Sequence, residues 1–198
     1  MVVKVHSLRE YFRDSLHSAL EHQQVSVGGE TEQYVVNLLT LFAHSDALFE
    51  QTADGARIRP LVVMLADALE AHSARERCAG LQRLGDVTLF VAGFFAQGFA
   101  RQLIDIDYHI AMGGRAYGTL SEAVRRSGRA ALGPVFGELA AKFQQMVDAL
   151  NEVSEAGYQY SDRDILRLYE VWLKTGSRRA ERLLSGLGVA PAAGAHSK

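Results

Sequence analysis

Apolar residues recur at alternating spacings of four and three along two stretches of this sequence, a pattern that few folds accommodate. The first stretch carries Ile106, Ile110, Gly113, Tyr117, Leu120 and Val124. The second carries Phe136, Leu139, Phe143, Met146, Leu150 and Val153. Such seams pack helices at shallow crossing angles. Because the turn-forming pairs Ser127-Gly128 and Gly133-Pro134 lie between them, we expect an antiparallel helical hairpin inside a bundle.

The rest of the chain has the same helical character. It contains only 3 prolines, and alternating strand-like segments are almost absent. We therefore predict an all-α fold, a single-domain helical bundle of about eight helices over residues 1–189. The small and polar residues 190–198 predict a disordered tail. Three helix starts are marked by serines that an acidic residue follows three positions later: Ser7, Ser73 and Ser161.

The segment from Leu81 to Phe99 is apolar around most of its helical circumference, so we predict that it forms the central helix. One narrow stripe is the exception, formed by Gln82, Asp86, Gly93 and Gln97. A buried carboxylate is unfavourable unless it is paired, so Asp86 is expected to face a cavity or to meet a cation. We favour an ion pair with Arg101 or Arg115.

Composition limits the classes of partner and compartment. The 198 residues are 48% hydrophobic. The net charge of -2 creates no overall electrostatic attraction to nucleic acid or to an anionic membrane. Cys78 is the single cysteine, which excludes an intramolecular disulfide and favours a reducing cytoplasm. The longest apolar stretch, Val87 to Ala100, is too short to cross a bilayer, so we expect no membrane insertion.

Three glycines, Gly113, Gly114 and Gly118, fall inside a predicted helix. A glycine in a helix interior costs about 1 kcal/mol relative to alanine, which suggests that another body approaches the backbone closely. A flat, heme-like cofactor could lie there, with His109 as an axial ligand and Tyr117 beside it. Gly114 and Gly118 also form a small-x-x-x-small pair, which lets two helices approach closely. We favour such a helix contact over a cofactor, and a dimer interface is one place where it could occur.

Asp105 and His109 are four residues apart and could supply half of a metal site. Spacing alone is weak evidence, because no Glu-x-x-His, His-Glu-x-x-His or paired-cysteine motif accompanies them. The alternative is that Asp105 caps a helix and His109 flanks the core. We favour this structural interpretation.

The last predicted helices outline a helix-turn-helix. Thr175, Gly176 and Ser177 form the turn, and Arg178, Arg179 and Arg182 follow it. Two helices with exposed arginines are common in bundles, and the overall charge is acidic, so we do not expect nucleic-acid binding. These arginines, with Gly114 and Gly118, are our candidate residues for contacts with a protein partner.

Catalytic motifs are absent: the sequence has no Gly-x-Ser-x-Gly, no Walker loop and no dinucleotide fingerprint after a strand. The sequence therefore favours a cytoplasmic, non-enzymatic helical protein that acts through protein–protein contacts as a homodimer, with regulation as one role. The alternative is a bundle that binds a small molecule or cofactor, heme-like or metal, through His109 with Asp105 or Asp86.

Overall fold

The computed structural model describes residues 8–43, 48–52, 55–94, 106–126, 132–154, 162–186 and 188–189. Within these residues the fold is an all-α bundle, as predicted. Its nine helices are α1 Leu8–His22, α2 Gly29–Phe42, α3 Leu61–Glu70, α4 Ala74–Phe94, α5 Ile106–Arg126, α6 Gly133–Ala141, α7 Phe143–Ser154, α8 Asp162–Thr175 and α9 Arg178–Gly186. The predicted tail, residues 190–198, lies outside the described part of the chain.

A short antiparallel hairpin precedes α3, and the sequence did not predict it. Its strands are β1 Glu50–Thr52 and β2 Gly55–Arg57, with Thr52 opposite Gly55. Strands of three residues are too short to show an alternating pattern, which explains why they were missed.

The central helix of the bundle is α4, which packs mainly against α3, α5 and α7. Every residue from 87 to 93 is buried, as expected for a helix surrounded by others. Ser73 begins it as predicted, because Ser73 Oγ accepts a hydrogen bond of 3.1 Å from the backbone N–H of Glu76. The helix is continuous from Ala74 to Phe94, and the predicted remainder to Phe99 lies outside the described residues.

The predicted hairpin consists of α5 and the pair α6 and α7. Gly133 lies near Arg125, Gly137 near Ser121, and Gly113 near Phe143, so the two arms run antiparallel. All six apolar seam residues from Phe136 to Val153 are buried. The second arm, expected as one helix, is divided at Lys142, which has φ -116° and ψ 24°. This break accounts for one helix beyond the predicted eight.

The last two helices form a second, smaller unit with its own apolar core. Trp172, Ala180 and Leu184 are buried together in this core, separate from the main one. Gly176 connects α8 to α9 with φ +64°, a left-handed conformation that glycine adopts without steric cost. We refer to α8 and α9 together as the C-terminal hairpin.

Candidate functional site

A partly buried polar cluster lies where α2, α4 and α5 meet. Asp86 of α4 accepts two hydrogen bonds on Oδ1, one from the hydroxyl of Tyr34 and one from the hydroxyl of Tyr117, each 2.7 Å long. Gln82, one turn earlier on α4, donates a bond of 3.0 Å from Nε2 to the Tyr34 hydroxyl. Two tyrosines therefore approach the part of the predicted polar stripe that Gln82 and Asp86 form. Gly93 of that stripe lies against Leu150 of α7, and Gln97 lies outside the described residues.

The packing around this cluster depends on one small residue. A Cβ at Gly85 would lie 2.7 Å from Tyr117 Cε1, so glycine is required for the ring to reach its position. The Tyr117 ring stacks on Phe136, with centroids 5.8 Å apart and planes at 16°. Phe136 in turn contacts the Tyr34 ring edge-on at 5.5 Å. These aromatic contacts fix both hydroxyls on Asp86.

Burial changes the acid–base properties of the cluster. Desolvation raises the pKa of Asp86 from 3.8 to about 6, against the opposing effects of the two tyrosine hydrogen bonds and the charge of Arg83. Burial, together with the negative charge of Asp86, raises the pKa of Tyr34 and of Tyr117 above the usual value for a phenol. Asp86 thus changes its protonation state close to neutral pH, a property that is concentrated at functional sites.

The predicted ion pair between Asp86 and Arg101 or Arg115 is not found among the described residues. Arg115 is exposed, and Arg101 lies outside the described part of the chain. The hydrogen-bond donors are tyrosine hydroxyls instead. Tyr117 was placed on a buried seam by its spacing, and a buried tyrosine hydroxyl needs a polar partner. The need of a buried tyrosine for a polar partner is the signal in the sequence that could have identified the hydrogen bond between Tyr117 and Asp86.

The three glycines of α5 lie against α6 and α7 of the same chain. A Cβ at Gly113 would lie 2.1 Å from Phe143 Cζ, so the Phe143 ring fills the space that a side chain would take. A Cβ at Gly114 would lie 3.7 Å from the Ala140 carbonyl oxygen, and one at Gly118 would lie 3.8 Å from Ala140 Cβ, both ordinary van der Waals distances. The predicted close approach is therefore a helix contact within the chain at Gly113, whereas the described neighbours of Gly114 and Gly118 leave room for a methyl group.

His109 is buried in the first turns of α5, at 7% exposure, and its ring meets that of Tyr108 edge-on at 5.8 Å. Asp105, its predicted partner, lies outside the described residues. Asp107 lies in the first turn of α5, where the helix dipole favours a negative charge. Its Oδ1 is buried and has no hydrogen-bond partner in the described structure. No group of three or more histidine, cysteine, aspartate or glutamate residues in the described ranges is arranged to hold a metal ion.

The three arginines of α9 have different environments. Arg178 and Arg182 are exposed, and Arg182 Nη1 lies 3.3 Å from the carbonyl of His22, to which it donates. Arg179 is buried at 8% exposure, and its charge acts on Asp148 of α7. Because Arg179 faces the bundle, the three side chains do not form one basic surface.

Asp148 of α7 is a buried carboxylate that was not predicted from the sequence. Ser177 Oγ lies 2.8 Å from each of its carboxylate oxygens, and Gln144 Nε2 donates a bond of 3.0 Å to Oδ1. Desolvation raises the pKa of Asp148 to about 6, although these bonds and the charge of Arg179 act to lower it. Its signal in the sequence is an acidic residue between Met146 and Leu150, two positions of the apolar seam.

Comparison with known proteins gave no match to any family model, curated protein or solved structure. In the described part of the chain, no helix has both the length and the apolar character that crossing a bilayer requires.

Proposed function

We propose that this protein is non-enzymatic and acts through protein–protein contacts, as a homodimer joined by the outer face of α3. The observation that supports this proposal is that α3 is apolar on both sides. Eight of its 10 residues are apolar, and Leu61, Met64 and Ala68 are buried against the bundle. On a second side, which faces solvent, Val62 is 62% exposed and Leu69 is 52% exposed.

The exposed residues form one continuous stripe. Val62 and Leu69 are seven positions apart, two turns of the helix, and half-buried Leu65 and exposed Ala66 lie between them. A helix that is apolar on all sides is normally buried, and contiguous exposed apolar surface commonly marks an interaction site. We call this stripe the α3 face.

A second copy of the chain fits the α3 face. In a two-fold symmetric contact between antiparallel helices, Val62 of each copy faces Leu69 of the other, and the small Ala66 lies near the symmetry axis. Arg59, which precedes the helix, pairs with Asp67 of the same chain, and Glu70 ends the helix, so the charged residues lie at the ends of the α3 face and not within it. The opposed helix dipoles also favour the antiparallel arrangement.

The oligomeric state tests the proposal. Sedimentation velocity and light scattering of the purified protein should give a dimer that dissociates on dilution. The Val62→Glu/Leu69→Glu double variant should be a folded monomer by the same measurements and by circular dichroism. Leu166→Glu, which changes a residue that is 70% exposed on α8, is the matched control and should remain dimeric. A monomeric wild-type protein, or a dimeric double variant, would contradict the assignment.

A cytoplasmic location is part of the proposal. It is supported by the lone Cys78, which rules out an intramolecular disulfide and is half-buried on α4.

The alternative function, a cofactor site at His109, has less support from the geometry. Two of the residues named for it, Gly113 and Tyr117, contact Phe143 and Asp86 of the same chain. An absorption spectrum and metal analysis after reconstitution with heme and with iron would test it. A stoichiometric spectral signal that the His109→Ala variant loses would restore this function.

A further inference from the structure

The apolar side chains of the C-terminal hairpin pack mainly on one another. Trp172, Ala180 and Leu184 form its buried core. The half-buried apolar residues around this core belong to the hairpin or directly follow it: Ile165, Leu168, Tyr169, Val171, Leu173 and Val189. In the described part of the chain, none of these residues belongs to the main core or packs against it. Because hydrophobic stabilisation follows the apolar area removed from water, each core mainly stabilises its own unit.

Polar contacts join the hairpin to the bundle. Ser177 Oγ, at the N-terminus of α9, lies 2.8 Å from each carboxylate oxygen of Asp148 on α7. Ser177 is 1% exposed and Asp148 is 6% exposed, so this contact is buried. Arg182 Nη1, at the exposed edge, donates a hydrogen bond of 3.3 Å to the backbone carbonyl of His22 on α1. We call Ser177, Asp148, Arg182 and His22 the Asp148 joint.

The hairpin supplies the cations that act on the Asp148 carboxylate. These are Arg179 and Arg182, both of α9. The bundle supplies neutral donors instead. Gln144 Nε2 donates a bond of 3.0 Å to Asp148 Oδ1, and Gln23 Nε2 of α1 donates one of 3.2 Å to the Asp148 backbone carbonyl. Opening the hairpin would therefore remove both cations and expose the carboxylate to water.

The other neighbours of α7 have different contacts. Titratable groups of α1 and α6 near α7 are paired within the bundle: His22 with Glu152, and Lys142 with Glu138. On the sides of α4 and α5, close contacts of α7 are apolar, at Leu150 and Phe143. Within the described residues, the charges that act on Asp148 thus change when the hairpin moves.

We propose that the C-terminal hairpin is a releasable arm, which opens from the bundle as one unit and uncovers the polar side of α7. A part of a protein with few apolar contacts to the rest opens at a lower free energy than the core does. The opening is independent of the proposed dimer, because the Asp148 joint uses no residue of the α3 face.

The Asp148 joint makes this opening depend on pH. In the closed state, burial raises the pKa of Asp148 from 3.8 to about 6, against the effects of Ser177, Gln144 and the two arginines. In the open state the carboxylate is in water and returns to its usual pKa. The closed state therefore binds a proton more tightly, and its advantage is lost as pH rises through about 6.

Hydrogen–deuterium exchange of the full chain, corrected for intrinsic exchange rates, measures the opening. The amides of α8 and α9 should exchange through one shared opening, with protection well below that of α4 and α7. The equilibrium constant of this opening should rise by about tenfold from pH 5 to pH 7. The proposal is overturned if the hairpin is protected as strongly as α4, or if its opening does not change with pH.

Two isosteric variants separate the joint from a general loss of stability. Asp148→Asn cannot ionise, so the hairpin opening should lose its dependence on pH. Asp86→Asn changes a carboxylate with a similarly raised pKa outside the joint, and it should keep the wild-type response of the hairpin. His22 is present in both variants. A pH dependence that persists in Asp148→Asn would therefore contradict the role of Asp148.

A milder pair of variants keeps the test valid if Asp148→Asn does not fold. Arg182→Gln removes an exposed partner of the carboxylate, and it should increase the opening by about twofold to fivefold at pH 7, and by less at pH 5. Arg178→Gln removes the same charge from an exposed position of α9 and should leave the opening unchanged. Equal effects of the two variants, or none from Arg182→Gln, would overturn the proposed joint.

Discussion

Ser177 Oγ lies 2.8 Å from both carboxylate oxygens of Asp148, and it also accepts a hydrogen bond of 3.1 Å from the backbone N–H of Ala180. One hydroxyl thus caps the N-terminus of α9 and joins that helix to α7. Because the C-terminal hairpin has its own small core, this contact is a polar link that helps to fix the hairpin on the bundle.

Replacing Ser177 by alanine should loosen the C-terminal hairpin. The loss of the cap and of the bond to a buried carboxylate should reduce stability by about 1–3 kcal/mol. Trp172 is the only tryptophan and lies in the hairpin core, so its fluorescence in urea should change at a lower midpoint than in the wild type. Ser185→Ala is the control, because the Ser185 hydroxyl donates to the Glu181 carbonyl within α9 and the variant keeps the backbone of Ser185 unchanged. An unchanged Trp172 transition would contradict the anchoring role.

The stability of the protein should fall as pH rises from about 4 to about 6. Asp86 and Asp148 each have a folded-state pKa of about 6, above the usual 3.8, so the folded state binds protons more tightly in this window. For each carboxylate the full effect is on the order of 3 kcal/mol, reached once both the folded and unfolded states are ionised. Above that pH the contribution stays constant.

Urea unfolding of wild type and Asp86→Asn across this range measures the effect. The variant should lose less stability than the wild type as pH rises, since its side chain cannot ionise. Asp14→Asn, an exposed change on α1, should reproduce the wild-type slope. Parallel curves for wild type and Asp86→Asn would show that Asp86 does not titrate as proposed.

Glu138 acts in the opposite direction at the lower end of this window. Desolvation acts to raise its pKa, but hydrogen bonds from Lys142, Thr31 and the backbone N–H of Gly28 lower it below 4.5. Stability from a lowered carboxylate pKa is fully present above the unfolded-state value and is lost as pH falls through the folded-state value. The comparison of wild type with Asp86→Asn removes this contribution, because Glu138 is present in both proteins.

Alanine at two adjacent glycines should have opposite effects on stability. At Gly113 the added methyl group would meet the Phe143 ring, and we expect a loss of about 1–3 kcal/mol from overpacking. At Gly114 the nearest atoms are at an ordinary contact distance of 3.7 Å, so the better helix propensity of alanine should give up to about 1 kcal/mol. Thermal and urea unfolding of both variants measure the difference. Equal effects would contradict the helix contact described for Gly113.

The sequence predicted the structure correctly wherever the position of a helix depended only on the spacing of its apolar side chains. The seam from Phe136 to Val153 identified the buried residues of α6 and α7, and the apolar circumference identified α4 as central. Ser73 marked the start of α4 because a helix cap depends on local residues only. These features require no knowledge of distant parts of the chain.

Features that arise from distant contacts could not be predicted in the same way. The break at Lys142 has no glycine or proline to announce it, and Lys142 Nζ bonds to the carbonyl of Ser26, 116 positions away. Asp86 was recognised as a buried carboxylate, but its partners on α2 and α5 became identifiable only once the helices were placed.

The Asp86 cluster also has a consequence for the order of assembly. Its two hydrogen bonds close chain segments of 52 and 31 residues, so they bring together helices that are distant in sequence. Contacts of this kind form slowly, because the loop entropy is lost before the contact is gained. A bundle with α2 or α5 shifted by one turn would remove one of the two donors to Asp86, at about 1–3 kcal/mol. We therefore expect the cluster to select the correct helix register late in folding, after the local α3–α4 and α5–α6 pairs have formed.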